Sequence, residues 1–526
     1  MRIRTILSVS AATATVIALT ACPGFDQTDC LDLNTCDCTF DDAGVCHRDD
    51  GGPETDGMVP PGTDGSMDAS PDGARDGSPG SEAGADTGPS CDLTKDPKDA
   101  PACVDDADGV FVDGTNGNDS GDGTKEHPFA SITKAIAVGS KNRVYICSGT
   151  YTDNLTISAQ HPVSLYGGFS CAGWSYTGTK AAVSPGSGVA LTISGTSGTV
   201  VEDLAITGSA GATSGDSAIA VFASGATATL RRLTILAGNG VAGAPGASGS
   251  AAPNFSAPAT HGNMATADTA GAFVDCTCTD TSTSHGGYGA SSTVTISQQG
   301  TSSPVVGGPN GGSSNATTCG AGSSGAPGLA GSAGSPAPKV GSLSATGWTT
   351  AASGTAGANG NPGQGGGGGG AEVTNEVAGG GGACGGCGGT GGKAGGNGGS
   401  SFGILSFQST LTVDTCTVTA GNGGAGATGG AGEDGQAGGA GGTAAVCAGG
   451  DGGAGAGGAG GAGGDGGHSV AIAYSGTVPQ TPSSTLTVGT PGVVGTGGAA
   501  GHSPGNAGPM GTSGAVGQAA MTLLLQ

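Results

Sequence analysis

The chain has 526 residues, 116 of them glycine, with only 3% aromatic and 10% charged residues and a net charge of −25. Large apolar side chains stabilise a core by roughly 1.5–3 kcal/mol each, whereas glycine contributes no side chain and loses the most backbone freedom on ordering. An ordinary globular core and a nucleic-acid partner are therefore excluded, as is electrostatic docking on anionic lipid, which leaves disorder or a repetitive backbone-bonded fold.

Arg2 and Arg4 precede an apolar, Ala-rich stretch from Ile6 to Leu19. That stretch is shorter than the roughly 20 apolar residues a membrane span needs, so it reads as a secretory signal. The sequence Leu19-Thr20-Ala21-Cys22 resembles the lipobox of bacterial lipoproteins. The resemblance implies cleavage before Cys22 and acylation of that cysteine, and anchoring by several chains, since one chain binds a membrane only marginally. Pro23 stands where an Asp would retain many lipoproteins at the inner membrane. The expected location is the outer membrane facing the exterior, with the membrane as partner through the lipid.

Cysteine usage agrees with an oxidising compartment. Of 16 cysteines, Cys30, Cys36, Cys38 and Cys46 suggest an N-terminal knot with three open connectivities. Cys91 and Cys103 bracket a second loop. Setting Cys22 aside leaves an odd number, so at least one thiol should remain free or pair between chains. Residues 47–90, rich in Asp, Gly, Pro and Ser, have no apolar periodicity and read as a disordered tether reaching roughly 35 Å or more.

From Val110 the character changes. Phe111-Val-Asp-Gly-Thr-Asn-Gly-Asn-Asp-Ser-Gly-Asp-Gly-Thr124 leads to His127-Pro-Phe129 and Ser131-Ile-Thr-Lys-Ala-Ile136. Val144-Tyr-Ile-Cys-Ser-Gly-Thr-Tyr151 and Val163-Ser-Leu-Tyr-Gly-Gly-Phe169 follow. Across about residues 110–180 these elements look like the opening of a bacterial family of uncharacterised function. That family has a pectin-lyase-like right-handed parallel β-helix. The resemblance implies an all-β fold with a capped first coil and a short helix over its open end; it implies no activity.

The residues themselves support coils. Val201-Glu-Asp-Leu-Ala-Ile206 aligns with Leu230-Arg-Arg-Leu-Thr-Ile235 at a constant offset, which stacks apolar on apolar. It also sets Glu202 over Arg231 and Asp203 over Arg232, a ladder worth about 0–1 kcal/mol per pair if exposed. Leu191 and Ile193 fall near Ile219 and Val221 at an offset of 28. Cys147 and Cys171, about one coil apart, are expected to be joined. Leu233-Thr-Ile-Leu-Ala-Gly-Asn-Gly240 recurs as Cys416-Thr-Val-Thr-Ala-Gly-Asn-Gly423. Thr293–Ile296, Ser469–Tyr474 and Thr485–Val488 read as further coils between Gly-rich insertions.

In those insertions glycine recurs at every third position: 240–249, 322–334, 354–369, 386–398, 423–441, 452–467 and 505–517. Three residues is the repeat of a polyproline II helix. The alternatives are disordered display loops, collagen (disfavoured by sparse proline) and a bundle of polyproline II segments with glycine stripes inward. The tracts also resemble, in composition, the PGRS-type repeats of some bacterial surface proteins. The expected division is signal 1–21, knot 22–46, tether 47–90, cap and first coils 91–240, and Gly-rich region with interspersed coils 241–526.

Candidate chemistry is sparse. Asp113, Asn116, Asn118, Asp119 and Asp122 crowd oxygen ligands as calcium sites do, with Asx turns as the competing reading. Asp105, Asp106 and Asp108 form a weaker cluster. Repeats ending in Asp434 and Asp465 lack the large apolar residue of calcium-binding β-rolls. Cys384-Gly-Gly-Cys387 has the spacing of half a zinc site but no matching second half, so loop disulfides are expected there. Glu202, Asp203 and Asp216 are the carboxylates from which a hydrolase would have to draw. No cofactor is expected. The composite expectation is a surface-displayed lipoprotein with a structural, adhesive or interaction role, not an enzyme. The alternatives are a polysaccharide lyase or hydrolase, or a glycan-binding module without turnover.

Overall fold

The computed structural model describes residues 39–40, 46–47, 91–250, 257–304, 310–445 and 447–525. Two units are separated, Met1–Ala85 and Asp86–Gln526. In the first, the backbone of Thr39–Phe40 pairs antiparallel with Cys46–His47. The signal segment 1–21, Cys22, Cys30, Cys36, Cys38 and the tether 47–90 otherwise lie outside the described residues.

The second unit is mostly β, and its principal sheets are parallel. Sheet A joins Leu155–Ser158, Leu191–Ser194, Ala218–Ser224, Ser401–Phe407, Ser469–Ser475 and Ala519–Leu524. Sheet B joins Val110–Val112, Arg143–Cys147, Ser164–Phe169, Ser197–Glu202, Thr227–Arg231 and Thr410–Asp414. Sheet C joins Thr150–Tyr151, Ala181–Val183, Leu204–Thr207, Thr234–Leu236, Thr417–Thr419 and Thr485–Thr487. The chain visits A, B and C in that order and then returns to A, so like positions stack. Leu155, Leu191, Val221, Ile404 and Ile472 are successive partners in sheet A. Val110, Val144, Leu165, Val201, Leu230 and Val413 are successive partners in sheet B. Val183, Ile206, Ile235 and Val418 do the same in sheet C. All belong to one apolar core. The helix Ile132–Val138 closes it, burying Ile132, Ala135 and Ile136, with Ser131 as N-cap and Gly139 left-handed after its end.

Corners between sheets are tight. Asp203, Arg232, Thr415 and Ser483, at equivalent places between B and C, all have φ of 52–54°. Between A and B the same left-handed turn falls on Gly195, Gly225, Gln408 and Gly476. The 29-residue offset holds where Val201 meets Leu230 and Ile206 meets Ile235. The offset of 28 does not: Leu191 pairs with Val221 and Ile193 with Ala223, an offset of 30. A two-residue slip leaves every side chain on the same face, which is why the pattern misled. The irregularity between Ser197 and Thr199 then takes up one residue before sheet B continues.

Sheet B is covered on both faces. Its outer side chains, Phe111, Tyr145, Cys147, Tyr166 and Phe169, pack with Trp174 and Val104. The segment around the 3-10 turn Pro101–Cys103 lies over them, since the Tyr145 hydroxyl donates to the Cys103 carbonyl (2.6 Å). The carboxylates of the Glu202–Arg231 and Asp203–Arg232 ladder are consequently buried, with the two arginines partly exposed.

The Gly-rich stretches leave the body at one corner, after strands of sheet C and before strands of sheet A: 237–400, 420–468 and 488–518. Their described glycine runs are ordered by backbone hydrogen bonds with a three-residue period. In 456–467, Gly458, Gly461 and Gly464 donate to the carbonyls of Glu433, Gly430 and Ala427. Gly457, Gly460 and Gly463 donate to Asn506, Pro509 and Thr512, and Ala456, Ala459 and Ala462 to Asn361, Ala358 and Thr355. This run thus bonds neighbours on three sides. A Cβ on Gly460 would lie 2.1 Å from the carbonyl oxygen of Gly498, so the close approach requires glycine. Runs with two glycines per triplet, 379–399 and 452–467, are mostly buried, whereas 490–517, nearer one per triplet, is largely exposed.

Disulfides tie the layers: Cys91–Cys103, Cys147–Cys171, Cys276–Cys384, Cys278–Cys387 and Cys319–Cys447. Cys416 is a free buried thiol. Thr293–Ile296 forms no strand; Val294 and Ile296 are 60% and 77% exposed. Alternation there reflects sequence chance in a segment with no sheet to join. Among the described residues no helix is long and apolar enough to cross a membrane.

Candidate functional site

The loop 113–124 is a chain of side-chain-capped turns. Asp113 Oδ1 accepts from the amides of Thr115 (2.9 Å) and Asn116 (3.0 Å), and its Oδ2 from Asn116 Nδ2. Asn118 Oδ1 accepts from Ser120, and Asp122 Oδ1 from Thr124, through both amide and hydroxyl. Asp119 reaches away to the amides of Ala130 and Ser131, both 2.9 Å. These bonds hold the carboxyls of Asp113 and Asp122 below their usual range. The five candidate calcium ligands therefore serve local backbone rather than a single cage. Asp105 accepts from Ala107 and Asp108, and Asp106 from Lys125, in the same manner. Asp434 and Asp465 accept from His502 and Ala515, cross-linking adjacent Gly-rich runs. Among the described residues, the groups of three potential metal-binding His, Cys, Asp or Glu side chains are Cys91, Cys103, Asp108 and Asp113, Cys147, Cys171. Their cysteines are in disulfides. Cys384 and Cys387 are likewise bonded, to Cys276 and Cys278.

The charged ladder gathers a partner that spacing did not reveal. Asp96, from the covering segment, sits 2.7 Å from Arg232 Nη1. Arg231 Nη1 reaches Glu202 Oε1 at 2.8 Å, and Arg232 Nη2 reaches Glu202 and Asp203 at 3.0 and 2.7 Å. Asp414 approaches Arg231 at 3.5 Å, and the Tyr176 hydroxyl donates to Asp203. Four acids face two arginines. Burial and the adjacent Asp96 carboxylate outweigh the arginines and push Glu202 up to about 7, while Asp96 is held low. Glu202 and Asp203 are thus held inside an ion-pair network, 2% and 4% exposed.

Asp216 lies elsewhere, in a surface concavity. A groove of about 780 Å³ runs along the corner where the Gly-rich stretches emerge. One wall is the loop before Ala218–Ser224, carrying Ser209, Ala210 and Asp216; the other is the hairpin Gly341–Ser344/Gly347–Thr350, carrying Trp348. Asp216 Oδ2 accepts the amides of Thr213 (2.7 Å) and Ala212 (3.2 Å), which lower its pKa. Trp348 is fixed edge-on against Phe402 at 5.0 Å, and a Cβ on Gly341 would strike its ring at 2.3 Å. Its buried indole N–H has no acceptor among the described residues. Thr350 Oγ1 donates to the Gly215 carbonyl (3.2 Å), pinning hairpin to loop, and Asn397 Nδ2 donates to the Ala351 and Ala352 carbonyls. Neither Trp348 nor the hairpin was found by sequence reasoning. Gly-Ser-Leu-Ser-Ala-Thr-Gly-Trp-Thr-Thr350 carries a strand–turn–strand signal only weakly, and its lone tryptophan was the available cue.

No curated protein and no solved structure matches the chain. Residues 115–257 match a family model described as a protein of unknown function (DUF1565), a family associated with parallel β-helix proteins.

Proposed function

We propose that the chain is a lipid-anchored envelope protein that presents a rigid extracellular scaffold for structural or adhesive contact. In this reading the three parallel sheets, visited in cyclic order, are the faces of a right-handed parallel β-helix, the hand that parallel crossovers almost always adopt. The Gly-rich runs are polyproline II helices packed side by side, the form whose three-residue turn places a donor toward each neighbour. The observation that carries the proposal is the three-directional hydrogen bonding of 456–467. It makes a stiff, weakly charged body out of a composition that cannot build an ordinary core. Disulfides across the runs suit an oxidising exterior. Cys22 supplies the anchor and the acidic segment 47–90 the stand-off.

Labelling of cells with a palmitate analogue tests the anchor: the wild-type chain takes up label and fractionates with the outer membrane, and Cys22→Ser abolishes both. Uptake unchanged in Cys22→Ser would refute the anchor. The competing enzymatic reading predicts reducing ends or unsaturated products from extracellular polysaccharides; their release would displace the scaffold reading.

A further inference from the structure

We propose that the groove between Trp348 and Asp216 is a binding site for a neutral, polyhydroxylated ligand, a saccharide chain without uronate or sulfate groups. The proposal deepens the glycan-binding alternative and rests on it for ligand class, while the site and charge selectivity come from the groove itself. Three features of the lining argue for it. Trp348, half-buried, supplies a rigid aromatic wall, with Phe402 edge-on to it and the bare backbone of Gly341 close against its ring, so little entropy is lost when a sugar packs against its open part. Hydroxyl groups of Ser187 and Ser209 line the groove with Asp216. Asp216 takes the loop amides on Oδ2 and is bonded by the Thr213 side chain, and a carboxylate with about four lone-pair sites retains capacity to accept from a ligand hydroxyl.

The third feature is what the lining lacks. None of its side chains is Lys or Arg, and its one charged group is a carboxylate held ionised by the Thr213 and Ala212 amides. A uronate or sulfate is held best by cationic donors; here such a ligand would meet the Asp216 carboxylate instead. A volume of about 780 Å³ falls within the usual range of ligand sites, roughly 300–1,000 Å³. It accommodates a few sugar rings and leaves the chain free to continue outward. The walls are tied together by Thr350 to Gly215 and by Asn397 to Ala351 and Ala352, so the groove is formed before the ligand arrives.

The test is isothermal titration of the full chain in detergent with linear neutral hexasaccharides of glucose, xylose and mannose, and with oligogalacturonate as the anionic contrast. At least one neutral hexasaccharide should bind, and oligogalacturonate should not. Trp348→Ala should raise its Kd at least about tenfold, the loss expected of one stacked ring. Because Trp348→Ala also removes packing on Phe402, Ala210→Trp is the second variant; it fills the groove from an exposed position and should abolish binding with the melting temperature unchanged. Neutral binding that neither variant alters would overturn this site while leaving glycan recognition standing. Binding of oligogalacturonate in preference would overturn the charge argument, and no binding of any probe would overturn both.

Discussion

Glu202 is the residue whose setting departs furthest from what its sequence neighbourhood suggests. Paired with arginines it should ionise readily, yet burial and the Asp96 carboxylate keep its pKa near 7. An unfolded glutamate loses its proton near 4.5, so between these values the folded chain binds more protons than the unfolded one. Glu202 therefore contributes a fall in stability as pH rises from about 5 to about 7, by on the order of 2 kcal/mol, while His468, whose pKa burial lowers from its usual 6.5, contributes a rise in the same range. Asp96 shifts the opposite way and contributes only below its usual value, outside that window. Glu202→Gln should remove the falling component, so that urea midpoints rise more steeply, or fall less, from about pH 5 to about pH 7 than in the wild type. An unchanged slope would mean that Glu202 is ionised in the folded state. The ladder itself was legible, because a 29-residue offset fixes Glu202 over Arg231; its depth was not, because Asp96 arrives from a segment more than one hundred residues upstream with no pattern linking the two.

At the scale of the element, the sheets and the Gly-rich runs encode their partners differently. A strand declares its inward face by alternation, and like side chains stack, so Ile206 over Ile235 could be read directly. The pairing of Ala223 with Ser406 across the long insertion could be inferred only from the repeated Leu-Ala-Gly-Asn-Gly and Thr-Ala-Gly-Asn-Gly ends. There Asn422 N donates to Asn239 Oδ1 and Thr490 N to Asn422 Oδ1. A glycine run has no side chains with which to specify a neighbour, so Cys276 with Cys384 and Cys278 with Cys387 were illegible beyond "loop disulfides". Glycine density does carry depth: every approach closer than a Cβ allows demands one. Gly460→Ala should therefore destabilise by about 1–3 kcal/mol through overpacking, whereas Gly186→Ala, with nothing within 4 Å of the added carbon, should be near neutral. Thermal melts of the two variants check this, and equal midpoints would mean the runs are not packed as described.

For the whole molecule, the composition that excludes a globular core is also what allows the architecture. Among the described residues the largest apolar cluster is one stacked column between the three sheets, with smaller clusters on the outer faces of sheets A and B, and the Gly-rich runs are ordered chiefly by main-chain bonds and tied by disulfides. The groove at Trp348 belongs to this scale, since loop, hairpin and Gly-rich run meet there from distant parts of the sequence. That is why the sequence offered Asp216 as a candidate carboxylate without its surroundings. The central claim is that the glycine-rich runs are packed structure. Hydrogen–deuterium exchange over residues 452–467 tests it most directly. Protection of these amides to a degree comparable with the strand Ser401–Phe407 is the predicted result; exchange at the rate of an unstructured peptide, with the strands still protected, would contradict it.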